Sequence, residues 1–375
     1  MNSGSNSNNN EKGVEVRTHD IPVADAMSEF MKQGWAESPL AGITPHPSIA
    51  YTKVRRDKLS KQYVGKRLIF PSGSLKVRSN DSDYQFRAHS AFSWFTGIVA
   101  SDCVPDSLFV MEPTGSGHEA LLFIHPRSPR NDNEFYKNTR YGEFWVGRRM
   151  TLEETETKYG ITVRQIESIE EFLKGKKETL LVRGEDSAID KLVEENTEDE
   201  KEFLNYISVM RAVKDKYEID EMQKAIDASV RGFADMVRIF PAATAVPRGE
   251  RVVEAAFYGR ARLEGNDNGY PSIVASGAHA CILHWIKNDG DVLPGDLILI
   301  DAGVEVESHY TADITRTFPV NGKFTQAQRN IYMIVYKAQQ AGIAAIKPGA
   351  RFRDIHNACM VEIARGAQEL GVLPI

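Results

Sequence analysis

Two aspartates carry the chemistry this sequence offers. Asp301 closes the apolar run Leu297-Ile298-Leu299-Ile300, which reads as a buried strand. Asp313 opens Asp313-Ile314-Thr315-Arg316-Thr317-Phe318, whose alternation has the period of two typical of a strand. The two runs are near enough in the chain to pair as antiparallel neighbours and bring their carboxylates together. Gly303, just past Asp301, lets the chain bend there. Carboxylates side by side at the ends of buried strands repel one another and resist desolvation, so they must share a proton or hold a cation. Hard oxygen ligands on a rigid sheet suit a divalent metal, or two metals bridged by one carboxylate. Spacing alone leaves a second reading equally open, in which both are solvated strand-end residues.

The elements around this pair alternate between strands and helices, the pattern of an α/β (α+β) protein. Helices are expected over 24–36, 47–66, 151–159, 169–173, 201–213, 216–239, 252–264, 325–346 and 351–371. In the helix over 216–239, Ile219, Met222, Ile226 and Val230 recur at helical spacing and are expected in the core. Pro241 and Pro247 should break the chain after it. Strands are expected at Arg67–Phe70, Phe92–Gly97, Ser107–Met111, Ala120–Ile124, Trp145–Arg149, Thr179–Val182, Gly269–Gly277 and Ile282–Trp285. The basic run Tyr51–Leu59 reads as the solvated face of a surface helix, because no aromatic interleaving marks it for nucleic acid. The acidic run Glu194–Glu200 reads as an exposed linker or the start of a surface helix. The expected division is an N-terminal extension over 1–45, disordered to about residue 20, a domain over 46–200 and a second over 201–375.

Composition narrows the class. At 375 residues, 42% of them hydrophobic, the chain can fill two domains. A net charge of −6 implies no general affinity for nucleic acid or an anionic membrane. No stretch approaches the ~18 apolar residues of a membrane span, and the polar N-terminus lacks the apolar region of a signal peptide. The three cysteines, Cys103, Cys281 and Cys359, are scattered and fit a reducing cytoplasm.

The order Ser276-Gly277, His284, Asp301-Ala302-Gly303 and Asp313-Ile314-Thr315-Arg316-Thr317-Phe318-Pro319-Val320 resembles the aminopeptidase P branch of the metallopeptidases with the pita-bread fold. The continuation Asn321–Arg329 and the segment Arg211–Ile219 are similar to the same branch. Phe86–Gly97 is similar to the N-terminal domain of those enzymes. The likeness covers roughly residues 50–375, and the two-aspartate motif with its upstream histidine is specific.

The resemblance implies an aminopeptidase-P-type α/β domain followed by the first part of a pita-bread (creatinase/aminopeptidase-like) catalytic domain. It implies a cytoplasmic, homo-oligomeric Xaa-Pro aminopeptidase that cuts peptides with proline at the second position by a dimetal-activated hydroxide. The metals would be two Mn²⁺ or similar ions held by two Asp, one His and two Glu. By position, Asp301 would bind one metal, Asp313 would bridge both, and His284 would face the substrate without ligating. His279 and His309 match no motif position and read as structural. The family's histidine and glutamate ligands would lie past Ile375. These residues are therefore expected to be an inactive, C-terminally incomplete stretch, with apolar sheet surface left uncovered. A prolidase, or a pita-bread module that binds peptides without cutting them, are the alternatives.

Overall fold

A computed structural model describes residues 24–80, 82–175 and 177–373. The polar stretch expected to be disordered lies outside them. The chain divides into two units, Met1–Lys224 with Val306–Tyr310, and Ala225–Glu305 with Thr311–Ile375. Helices and strands are mixed in both, in keeping with the expected α/β class. Among the described residues no helix is long and apolar enough to cross a membrane.

In the first unit α1 (Asp25–Met31) and α2 (Ile49–Gln62) lead to β1 (Arg67–Pro71) and the small hairpin of β2 (Val77–Ser79) and β3 (Ser82–Asp83). Next come α3 (Ser90–Thr96), then the hairpin of β4 (Leu108–Thr114) and β5 (Gly117–Ile124). There follow α4 (Glu134–Lys137), α5 (Glu143–Val146), α6 (Leu152–Tyr159), β6 (Thr162–Gln165), α7 (Ile169–Leu173), β7 (Thr179–Leu181), α8 (Ser187–Leu192) and α9 (Thr197–Ala212). Five strands form one sheet in the order β6-β5-β4-β1-β7. Its three central strands pair antiparallel, and each edge strand joins parallel. Successive residues of a strand face opposite sides, so Leu68 and Phe70 enter one core with Phe95, Phe109 and Phe203, and Ile69 enters another with Val110, Leu121 and Ile189.

Three expectations fail here for identifiable reasons. Phe92–Gly97 is not a strand: α3 runs through it, with His89 accepting from the Ala91 amide and Gly97 closing it in the left-handed region at φ 79°. Every residue from Ala91 to Thr96 is buried, so no alternation could show the helix. Trp145–Arg149 is likewise no strand, since Trp145 and Val146 end the short helix α5. The basic run is not wholly solvated. Arg55 donates to Asp215 and to the Trp94 carbonyl, and Arg56 donates to the Phe95 carbonyl at 2.7 Å. Both are nearly fully buried, and burial pushes the Arg56 guanidinium down to about 10. The acidic run starts α9, where its charges favour the helix N-terminus, and Glu200 pairs with Arg183.

The unit boundary falls inside α10 (Lys216–Ala243). After it come α11 (Gly249–Glu264), β8 (Asp267–Asn268), β9 (Ile273–Ser276), β10 (Leu297–Ala302), β11 (Val304–Glu305), β12 (Ile314–Pro319), α12 (Gln326–Ala344) and α13 (Phe352–Glu369). Within α10, Ile219, Ile226 and Val230 are exposed, contrary to expectation. The helix buries the other stripe, Ala225, Ala228, Phe233, Met236 and Phe240. Aromatic packing decides the face, for Phe233 meets Phe257 and Phe318, and Phe240 meets Phe318. Pro241 sits within the last turn of this helix rather than ending it.

The second unit's sheet has the order β12-β10-β9, antiparallel throughout. Along β10, Ile298, Ile300 and Ala302 are fully buried, while Leu297, Leu299 and Asp301 are half-buried on the opposite face. Helices α12 and α13 pack on each other and carry exposed Ile331, Val335, Phe352 and Val361. A Thr325–Gln328 capping box starts α12.

Candidate metal centre

The register of β10 and β12 brings the two aspartates together. Asp301 pairs with Thr315, and Ala302 with Ile314, so Asp313 stands just before the first paired residue of β12. Behind them a Cβ on Gly303 would lie 1.6 Å from the Ala312 carbonyl oxygen. Glycine is thus required by close approach of two backbones, and not, as expected, to let the chain bend.

Tyr270, just before β9, closes the site. Its hydroxyl lies 2.6 Å from Asp301 Oδ1 and 3.3 Å from Asp313 Oδ1. Burial, the hydrogen bond to Asp301 and the charges of both aspartates push the phenol far above its usual range. It therefore stays protonated and donates. Thr315 Oγ1 donates to Asp301 Oδ2 at 2.9 Å, so each Asp301 oxygen is held by one donor and keeps a lone pair. The setting is wetter than the sequence suggests, since Asp301 is half-buried and Asp313 exposed.

The donor chemistry fits a divalent cation in part. Two hydrogen-bonded carboxylates converging from a sheet are suitable hard ligands. Among the described residues, however, no group of three or more His, Cys, Asp or Glu side chains could hold a metal.

His284 is not in a strand. The segment Ile282–Trp285 forms an exposed turn, with the Ile286 amide bonded to the His284 carbonyl. No hydrogen bond joins the His284 ring to either aspartate. Its turn is held from beneath by Glu250, at the start of α11. That carboxylate is fully buried and accepts from the Ser276 amide, His279 Nδ1, Trp285 Nε1 and the Gly290 amide at 2.8–2.9 Å. His279 stacks on Trp285, with ring centroids 3.9 Å apart.

Sequence reasoning missed Tyr270, the role of Thr315, and Glu250. Thr315 lies inside the recognised motif. Tyr270 and Glu250 act across the fold and carry no local signal beyond a tyrosine before Pro271 and an acid in a first helical turn.

Comparison with known proteins places these elements. Residues 220–372 match metallopeptidase family M24, and residues 52–182 match the aminopeptidase P N-terminal domain. The chain is 44% identical over 354 residues to Xaa-Pro aminopeptidase 1 of Streptomyces coelicolor, covering 94% of this chain and 71% of that protein. It is 43% identical over 350 residues to Xaa-Pro aminopeptidase 2 of the same organism, covering 92% and 73%. Among solved structures, the low-pH form of Escherichia coli aminopeptidase P superposes with a TM-score of 0.74 at 26% identity, covering 88% of this chain and 75% of that one. A zinc-substituted form of the same enzyme in complex with product gives 0.74 at 26%, covering 88% and 76%.

Proposed function

The chain belongs to the aminopeptidase P group of the M24 metallopeptidases, and from that premise we propose that it is a metal-dependent Xaa-Pro aminopeptidase, releasing the first residue of peptides with proline second. The observation that carries this reading is the meeting of Asp301 and Asp313 at one tyrosine hydroxyl. In this reading Asp301 and Asp313 would hold the divalent metal, Mn²⁺ in the cell, as two of its carboxylate ligands. Bound metal supplies Lewis-acid polarisation of the scissile carbonyl and a water acidic enough to attack near neutral pH. Tyr270 and Thr315 orient Asp301, fixing which of its lone pairs faces the ion. Glu250 anchors the turn from which His284 reaches the substrate and donates to the developing oxyanion. The pair alone grips metal weakly, since affinity follows ligand number and geometry.

In the same reading the protein acts in the cytoplasm as a homo-oligomer, with its catalytic domain beginning near residue 201. The scattered free cysteines support the compartment, and the two family matches on either side of residue 200 support the boundary.

The test, made on the full-length protein, is release of the first residue from an Xaa-Pro-Xaa tripeptide with added divalent metal, alongside metal content by mass spectrometry. Asp313→Asn is expected to abolish both, and turnover surviving that change overturns the reading. Cleavage of Xaa-Pro dipeptides alone would make the protein a prolidase. Saturable peptide binding by metal-loaded protein with no cleavage would make it a binding module.

A further inference from the structure

The first unit holds a cavity of about 360 Å³ far richer in positive than negative charge. Arg55, Arg87, Arg211 and Lys214 line it, against the single carboxylate of Glu218. That carboxylate is already saturated: it accepts from Trp94 Nε1 at 2.8 Å, from the Tyr310 hydroxyl at 2.6 Å and from the Asp215 amide at 2.9 Å. Arg55 is also spoken for, by Asp215 and the Trp94 carbonyl.

The opposite side is not satisfied. Among the described residues the half-buried Arg211 guanidinium has no hydrogen-bond or ion-pair partner. Burial outweighs the opposing charges of Tyr310 and Glu218 and, with Arg87 adding to it, pushes its pKa down. Lys214 donates only to the Arg211 and Ala212 carbonyls. Ser93 is 9% exposed, and its hydroxyl oxygen is buried without a partner; so is that of Ser308. Both serines line the same cavity. Buried hydroxyls without partners are uncommon and call for an explanation. An unpaired guanidinium and two unpaired hydroxyls around one space, beside an ammonium held only by backbone carbonyls, are the set that a phosphate group would satisfy, its oxygens taking charge-assisted bonds from the arginine fork.

We propose that this cavity binds a phosphate group, with Arg211 and the hydroxyls of Ser93 and Ser308 as its ligands. Neither aspartate lines this cavity, and the proposal does not rest on the aminopeptidase reading.

The experiment is calorimetric titration of chelator-stripped protein with inorganic phosphate, and separately with phenyl phosphate, at constant ionic strength balanced with chloride. Stripping prevents metal at Asp301 and Asp313 from capturing the anion. Saturable 1:1 binding is expected, weakened at least tenfold by Arg211→Gln and severalfold by Ser93→Ala. Tighter binding of phenyl phosphate identifies a phosphomonoester as the source, and tighter binding of inorganic phosphate identifies the free ion. Phosphorus NMR line broadening on the unmodified chain keeps the proposal testable if Arg211→Gln fails to fold. Absence of saturable binding to the unmodified chain, or equal affinity in folded Arg211→Gln, overturns it.

Discussion

The Tyr270 hydroxyl lies 2.6 Å from Asp301 Oδ1 and also reaches Asp313. One phenolic proton cannot serve two carboxylates equally, so the shorter bond sets the orientation of Asp301, and Thr315 holds its other oxygen. Tyr270→Phe removes that donor while keeping the ring. Loss of an outer hydrogen bond to a ligand costs about 10–100-fold in metal affinity, and that weakening is expected for Mn²⁺ or Zn²⁺ measured by calorimetry. Unchanged affinity would show that the tyrosine does not position the pair.

Glu250 makes a second, stability-based prediction. It ties Ser276, His279, Trp285 and Gly290 to the start of α11. Glu250→Ala strands four donors beneath the His284 turn and is expected to destabilise the protein by about 3–5 kcal/mol. Glu250→Gln keeps one accepting oxygen and should cost less, about 1–3 kcal/mol. Urea unfolding measures both, and equal losses would mean that packing rather than hydrogen bonding holds the turn.

What could be read in advance follows from how local each signal is. Helices α12 and α13 were legible because their start and separation are written in neighbouring residues, the Thr325–Gln328 box and Pro348-Gly349. The aspartate pair was legible because two short strands with one register put both acids at the same end. Helix α3 was not, since a short segment buried on every side shows no periodicity. The buried stripe of α10 was misread because Phe318, far along the chain, selects the face that packs. Arg55 looked solvated because Asp215, its partner, is 160 positions away. Tyr270 and Glu250 were missed for the same reason.

Gly303 should tolerate nothing larger. An added Cβ would lie 1.6 Å from the Ala312 carbonyl oxygen, and that neighbour is backbone that cannot swing aside. Gly303→Ala must therefore part the chain next to both aspartates. Overpacking of this kind typically costs about 1–3 kcal/mol, and metal affinity should fall with it. A variant with unchanged thermal midpoint and unchanged metal titration would show that the two backbones separate freely.

Acid should weaken the protein before its carboxylates titrate. Burial first, and then the charge of Lys158, hold the His46 imidazole below its usual range, with Asp102 and Glu221 opposing. Its Nδ1 accepts from the Ser48 amide at 3.3 Å, which only an unprotonated nitrogen can do. The unfolded chain, with an ordinary histidine near 6.5, then binds the proton more readily than the folded one. Stability from this residue is complete above about pH 6.5 and is lost as pH falls from there through the lower folded value. Burial lowers His89 in the same direction. The thermal midpoint is thus expected to drop between pH 7 and pH 5.5, and His46→Asn, whose amide oxygen can accept from Ser48 without taking a proton, should flatten part of that slope. An identical slope in the variant would remove His46 as a source of the acid sensitivity.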